Sequence, residues 1–268
     1  MGSYSPPETK MVRGVVFRRD PAREECFRVV HLHKEMENLS DMSDMSRRQR
    51  IHQHMHNEMQ SLEIAAQCIV DFPDTEWELQ MELARQCWDE SRHVRVLHRR
   101  LRELGGFKGE FPISTLEWNV TCALDNLPGR LAAQNRTLEA GAMDVVGGLS
   151  RAIRASGDEE TASVLEGILA DEVHHVRFAN RWIRRLAEQD RRVLMKVASA
   201  VCFLAAANAK FQIEAGEVNA AGKALESPES RIPAVNIEDR RLAEFSDEEI
   251  HEILRQAGFR ALVAEATP

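Results

Sequence analysis

The chain has 268 residues, 43% apolar and 29% charged, with a formal net charge of −8 at neutral pH. That is enough chain for one substantial core, or a core with a small appendage, in a globular protein. The acidity argues against broad non-specific nucleic-acid binding, which draws on an excess of positive charge. Five scattered cysteines (Cys26, Cys68, Cys87, Cys122 and Cys202) form no CxxC pair. They suit reduced thiols rather than a disulfide framework or a zinc knuckle. Residues 1–10 lack the apolar core of a signal peptide, so a cytoplasmic location is expected. The longest apolar run, 197–209, is too short for a bilayer, and no membrane span is expected. A single Tyr and few β-branched runs favour an all-α fold.

In chain order, residues 1–24 read as a loose arm with one extended piece at 15–17. A helix is expected over 23–38, broken by the cap-rich stretch 39–46. A long helix over 46–71 places Glu58 on an apolar stripe with Ile51, Met55, Leu62, Ala65 and Ile69. Glu63 falls on the opposite, polar side with His56. After a Phe-Pro-Asp turn, a second helix spans 75–104 and ends at Gly105 and Gly106. Its inner face reads Leu79, Leu83, Cys87, Glu90, His93, Leu97 and Leu101.

A crossover loop over 105–114 leads to a third helical stretch, 115–156, with Pro128 as a kink or restart. Glu139 lies among Ala132, Ala142, Met143 and Val146, while Asp144 points elsewhere. The fourth helix, 159–189, turns Glu172 and His175 inward with Leu165, Ile168 and Val176. A fifth helix is expected over 191–224, then a linker at 226–233 and a short capped helix at 245–254. The implied domains are an arm and helix at 1–45, a four-helix bundle at 46–190, and C-terminal helices at 191–268 packed on that bundle.

One phrase occurs twice: DESRHVRV at 89–96 and DEVHHVRF at 171–178, identical at five of eight positions. Each contains Glu-x-x-His, whose carboxylate and imidazole leave one face of a helix about a turn apart. Glu58 precedes Glu90 by 32 residues, and Glu139 precedes Glu172 by 33. The chain therefore repeats a helical hairpin, each copy carrying one inward Glu and one ExxH. Glu58, Glu90, His93, Glu139, Glu172 and His175 supply four carboxylates and two imidazoles, the ligand set of dinuclear carboxylate bundles. Oxygen-rich ligation with imidazole suits iron or manganese over tetrahedral zinc. Glu63, Asp144 and His56 are read as outer-layer or alternative ligands. His174 is expected to hydrogen-bond an outer carboxylate, Trp88 and Trp118 to lie in the core, and Arg95, Arg99, Arg100 and Arg102 to form a solvated face.

On HNEMQSLEIA (56–65), LEAGAMD (138–144), ILADEVHHV (168–176) and VNIEDRRLAEFSDEE (235–249), the chain resembles the ferritin-like diiron superfamily. More narrowly it resembles the bacterial family called domain of unknown function 455, related to diiron tRNA hydroxylases. The resemblance covers roughly residues 30–255. It implies a ferritin-like four-helix bundle with additional N- and C-terminal helices, in which the six ligands bind two Fe and activate O2. A small-molecule substrate is implied, hydroxylated or N-oxygenated, with an external electron donor such as a reductase or ferredoxin. Nucleic acid is disfavoured by the charge, although tRNA hydroxylation is the runner-up. Iron storage and a metal-free interaction module are the remaining alternatives, and a homodimer is compatible with all of them.

Overall fold

In the computed structural model the described residues are 9–12, 15–18, 23–31, 35–36, 39, 41–215 and 235–256. The fold class is all-α. The strands among the described residues, β1 (Thr9–Val12) and β2 (Val15–Arg18), form one antiparallel hairpin with Val12 opposite Val15. The chain divides into two compact units, Met1–Leu127 and Pro128–Pro268.

The first unit is built on a helical hairpin. Ser43 caps α1 (Asp44–Asp71) by accepting from Ser46 N at 3.3 Å, and Asp44 adds negative charge to the first turn. Phe72 ends the helix before Pro73, which has no N–H to continue it. α2 (Trp77–Glu103) returns and ends at Gly105, whose φ of 79° is the left-handed conformation a helix terminus favours. Ile51, Met55, Ile64, Leu79, Leu83, Leu97 and Leu101 are buried between these helices. α3 (Leu116–Cys122) packs against α1, where Trp118 N donates to Gln60 Oε1 at 3.3 Å.

The helix expected over 23–38 does not form at 23–31. There the chain is extended, with Val30 N donating to Ile113 O at 2.8 Å and Ile113 N to Arg28 O at 3.0 Å. Those two bonds spend the backbone groups a helix would need, and they draw Phe27 and Val30 into the core. Gly109 makes the close approach feasible. Its φ is 86°, a Cβ there would collide with the Cys26 carbonyl, and its N–H donates to His52 Nε2 at 3.0 Å. Gly109→Ala is therefore expected to cost at least ~1–3 kcal/mol for the backbone conformation alone. Urea denaturation should show a lower midpoint with little change in slope.

The second unit holds the other hairpin. The stretch expected over 115–156 is interrupted twice: α3 stops at Cys122, and a new helix, α4 (Leu127–Ala133), opens next to Pro128. α4 runs into a π-helical segment, Gln134–Glu139, before α5 (Ala140–Ala155). A uniform 100° wheel cannot show this widened turn, because the phase slips inside it. Gly157, at φ 91°, and Asp158, which accepts from Thr161 N at 3.0 Å, close α5 and cap α6 (Glu159–Gln189). α7 (Arg192–Ala215) packs on α6, and residues 216–234, including the expected linker, lie outside the described residues.

α8 (Ile237–Leu242), which the sequence does not announce, and α9 (Asp247–Gln256) complete the unit. The capping box is present: Ser246 N donates to Glu249 Oε2 at 2.8 Å and Glu249 N to Ser246 Oγ at 3.2 Å. Ala243, Phe245, Ile250 and Leu254 share a buried cluster with Ala140, Met143 and Val176. The C-terminal helices thus pack directly on α5 and α6 of this unit.

Candidate metal centre

Each hairpin gathers its three expected ligands into a buried triad. In the first unit Glu58 comes from α1, and Glu90 and His93 come from one turn of α2, all buried. His93 Nδ1 lies 3.0 Å from Glu58 Oε2 and 3.0 Å from Glu90 Oε2. One ligand atom from each of the three lies within 4.8 Å of the others. Metal bonds of about 2.1 Å place neighbouring ligand atoms ~3–4 Å apart, so this triad fits a divalent ion.

In the second unit Glu139, Glu172 and His175 are likewise buried and mutually within 4.8 Å. His175 Nδ1 lies 3.3 Å from Glu172 Oε2. Each triad pairs two carboxylates with one imidazole. Burying two like-charged carboxylates together is unfavourable unless a proton or a cation offsets them, so the donor chemistry fits a metal.

Around these ligands stand residues that the sequence reading missed. His54 Nε2 is 2.6 Å from Glu58 Oε1, one turn back on α1. Burial alone would raise the Glu58 carboxyl. The His54 charge and hydrogen bonds with His54, His93 and Glu90 outweigh burial and hold it well below the usual carboxylate range. Glu117 of α3 is the second such residue. Burial of its carboxyl, reinforced by the negative charge of Glu58, pushes it up to about 7.

Gln86 Nε2 donates to Glu90 Oε1 at 3.3 Å, and Asn135 Nδ2 to Glu139 Oε2 at 2.9 Å. Both amides sit four residues before the Glu they orient, and in the repeat Asn135 stands where His54 stands before Glu58. The π segment ends on Glu139. Thr137 Oγ1 donates to Ala132 O at 2.7 Å, five residues back, tying the π segment to the end of α4. Such insertions occur often at functional sites. The i,i+4 spacing of His54 and Gln86 was legible in principle, whereas nothing in the sequence marks Glu117 or the π turn.

The three alternative ligands are each engaged by an arginine. Arg23 forms a bidentate pair with Glu63, its Nη2 donating to Oε2 at 2.7 Å, and its Nε donates to His56 Nε2 at 2.8 Å. Burial, then the positive charge of Arg23, lowers His56 to about 3, so the ring is neutral. Asp144 accepts from Arg240 Nη2 at 2.6 Å, Arg240 Nε at 3.1 Å and Asn236 N at 2.8 Å.

His174 meets Arg177 and the rings of His175 and Phe178. Trp118 is buried, but Trp88 is 54% exposed, with the Arg85 and Arg92 guanidiniums 4.6 and 4.1 Å from its ring centre. The two guanidiniums lie over its indole on the outside of α2, so the core placement expected for it is wrong. Arg99 is exposed and paired with Glu103, in keeping with a solvated face.

No curated protein and no solved structure matches the chain. A protein family of unknown function matches residues 8–251, nearly the whole length. The chain, with its repeated hairpin and paired buried triads, belongs to that family, protein of unknown function (DUF455).

Proposed function

We propose that the protein is a ferritin-like, non-haem diiron oxidoreductase that uses O2 to oxidise a small organic substrate. In this reading Glu58, Glu90, His93, Glu139, Glu172 and His175, the set that the repeated sequence motif singles out, would hold the two irons. The observation that carries it is the duplication: two buried carboxylate–imidazole triads, each on its own copy of one helical hairpin. Two divalent ions carry +4, which four carboxylates neutralise, and imidazole completes a coordination suited to iron, with manganese as the substitute. Bound iron would supply electrons to O2 and so overcome its slow reaction with closed-shell organic molecules.

The chain's own residues have distinct duties in this account. Gln86 and Asn135 fix the orientation of Glu90 and Glu139, and His54 keeps Glu58 ionised and ready to ligate. Glu117 offers a carboxyl that exchanges a proton near neutral pH beside Glu58. Inserting one oxygen atom into a C–H or N–H bond while reducing the other to water consumes two electrons and two protons from outside the substrate. An external reductase or ferredoxin would supply the electrons.

The test is O2 uptake by protein loaded anaerobically with Fe(II) and supplied with a chemical reductant, followed at an oxygen electrode. Uptake well above free iron is expected, and it should fall to background in Glu90→Ala and Glu172→Ala. Iron-loaded protein that consumes no O2 above free iron would remove the oxidoreductase reading. A species of many times the 30.4 kDa subunit mass would instead favour iron storage.

A further inference from the structure

α7 carries two apolar faces, and the rest of its unit covers only one of them. Val193, Ala200 and Leu204 are buried in the packing of α7 on α6. Opposite them Leu194 is 55% exposed, Met195 71%, Val201 38% and Phe203 45%. Ala198, Cys202, Ala205, Ala206 and Ala209 are exposed with them, and no acidic residue occurs between Arg192 and Lys210. Of the described residues, this stretch makes the one helix long and apolar enough, by length and composition, to cross a membrane. The expectation from the 197–209 run alone therefore understated its apolar length.

We propose that this outer face is a self-association surface, packed against the α7 of a second copy of the chain. The first argument is area. Scaled to ~200 Å² per large apolar side chain and ~130–170 Å² per Ala or Cys, the nine residues expose on the order of 650 Å². That is close to the ~800 Å² per partner of a standard interface, and almost all of it is apolar, as homodimer interfaces tend to be. Monomeric proteins seldom leave so large a contiguous apolar patch in water.

The second argument is spacing. Met195, Ala198, Cys202, Ala205 and Ala209 alternate by three and four residues, the rhythm of a seam between two helices. Small residues along that seam let two backbones approach closely, and Leu194, Val201 and Phe203 close over its shoulders. The same smallness disfavours a lipid surface, because alanines bury too little area to hold a helix in a bilayer interface. A transmembrane placement would also strip Val193, Ala200 and Leu204 from α6. A two-fold copy supplies the matching seam without another partner.

Light scattering on the full chain tests this. The wild type is expected at twice the 30.4 kDa subunit mass, and Ala198→Glu/Ala205→Glu at one subunit mass with unchanged helical circular dichroism. Both positions are exposed, so the charges should not disturb the subunit's own packing. A short bismaleimide, adding one thiol across each of its double bonds, should join wild-type copies through Cys202 and fail to join Cys202→Ser. Cys26, the other exposed cysteine, remains in that variant as a labelling control, while Cys87, half-buried and pushed up to about 11 by desolvation, should stay inert. A wild type of one subunit mass at ~100 µM would overturn the proposal. So would a dimer that survives the double substitution, or a monomer that floats with phosphatidylcholine–phosphatidylglycerol vesicles.

Discussion

Glu90→Ala is expected to remove bound metal from the protein without unfolding it. Glu90 is fully buried, faces His93 Nδ1 at 3.0 Å and is held by Gln86. In a protein whose buried carboxylates served only structure, deleting one would strand its partners and cost several kcal/mol. In a metal site the balance reverses for the metal-free form. Glu58 and Glu90 crowd like charge into a low-dielectric space, so removing one relieves repulsion.

Two measurements separate these cases. Metal content of the purified variant should fall to less than a tenth of wild type. The melting temperature of the metal-free variant should equal or exceed that of the metal-free wild type, and added Fe(II) should no longer raise it. Glu172→Ala should behave alike in the second triad. Glu63→Gln is the contrast: it weakens the pair with Arg23 and lowers stability, but metal content should hold. An equal metal loss at Glu63 would overturn the choice of Glu58 as the α1 ligand.

Asp144→Ala should give the largest loss of stability, centred on the C-terminal helices. The Asp144 carboxylate takes two bonds from Arg240 and one from the backbone of Asn236. Arg240 is itself buried, donates to Ala140 O at 3.2 Å, and lies 5.1 Å from the ring centre of Phe245. Truncating Asp144 leaves that guanidinium in the interior with only a carbonyl and an aromatic face. Breaking a buried pair in this way costs about 3–5 kcal/mol. Asp144→Asn, which keeps an acceptor oxygen, should cost less.

Much of the loss should appear as local undocking, because the other ties of α8 and α9 to their unit are one hydrophobic cluster and hydrogen bonds from Arg136, Asn180, Arg181 and Arg184. Hydrogen exchange should accelerate across 235–256 well before global unfolding. The effect reaches the site through the π segment. Arg136 pairs with Glu249 of α9 and with Asn180 of α6, and Ala140 O beside Glu139 is bonded to Arg240. Undocking the C-terminal helices should therefore loosen Glu139 and lower the protein's metal affinity.

The hairpins and the two buried Glu/His triads were legible because their causes are local and periodic. A helix fixes the direction of Glu90 and His93 relative to Leu83 and Leu97, and the repeated octapeptide marks the second copy. The cap-rich stretch 39–46 and the capping box at Ser246 placed helix starts to within a few residues for the same reason. Where the outcome depended on distant partners, the sequence was silent.

Arg23 reaches Glu63 and His56 across 40 and 33 positions of sequence, and no local pattern foretells it. Residues 23–31 carry helix-compatible composition, yet their backbone groups pair with 113, which only the folded loop presents. The π turn at 134–139 preserves the apolar pattern on either side while shifting its phase. Trp88 fails for a different reason: a large aromatic is expected inside, but here flanking arginines cover it on the surface.

At the centre of the proposed function is the binding of two iron ions by Glu58, Glu90, His93, Glu139, Glu172 and His175. Its most direct test is iron stoichiometry after anaerobic loading with Fe(II) and desalting, measured by plasma emission spectroscopy with Mössbauer spectra of an ⁵⁷Fe-loaded sample. The account predicts about two iron ions per chain, magnetically coupled once oxidised, with both lost together in Glu90→Ala and in Glu172→Ala. Iron at buffer background, or two uncoupled ions lost one at a time, would contradict it.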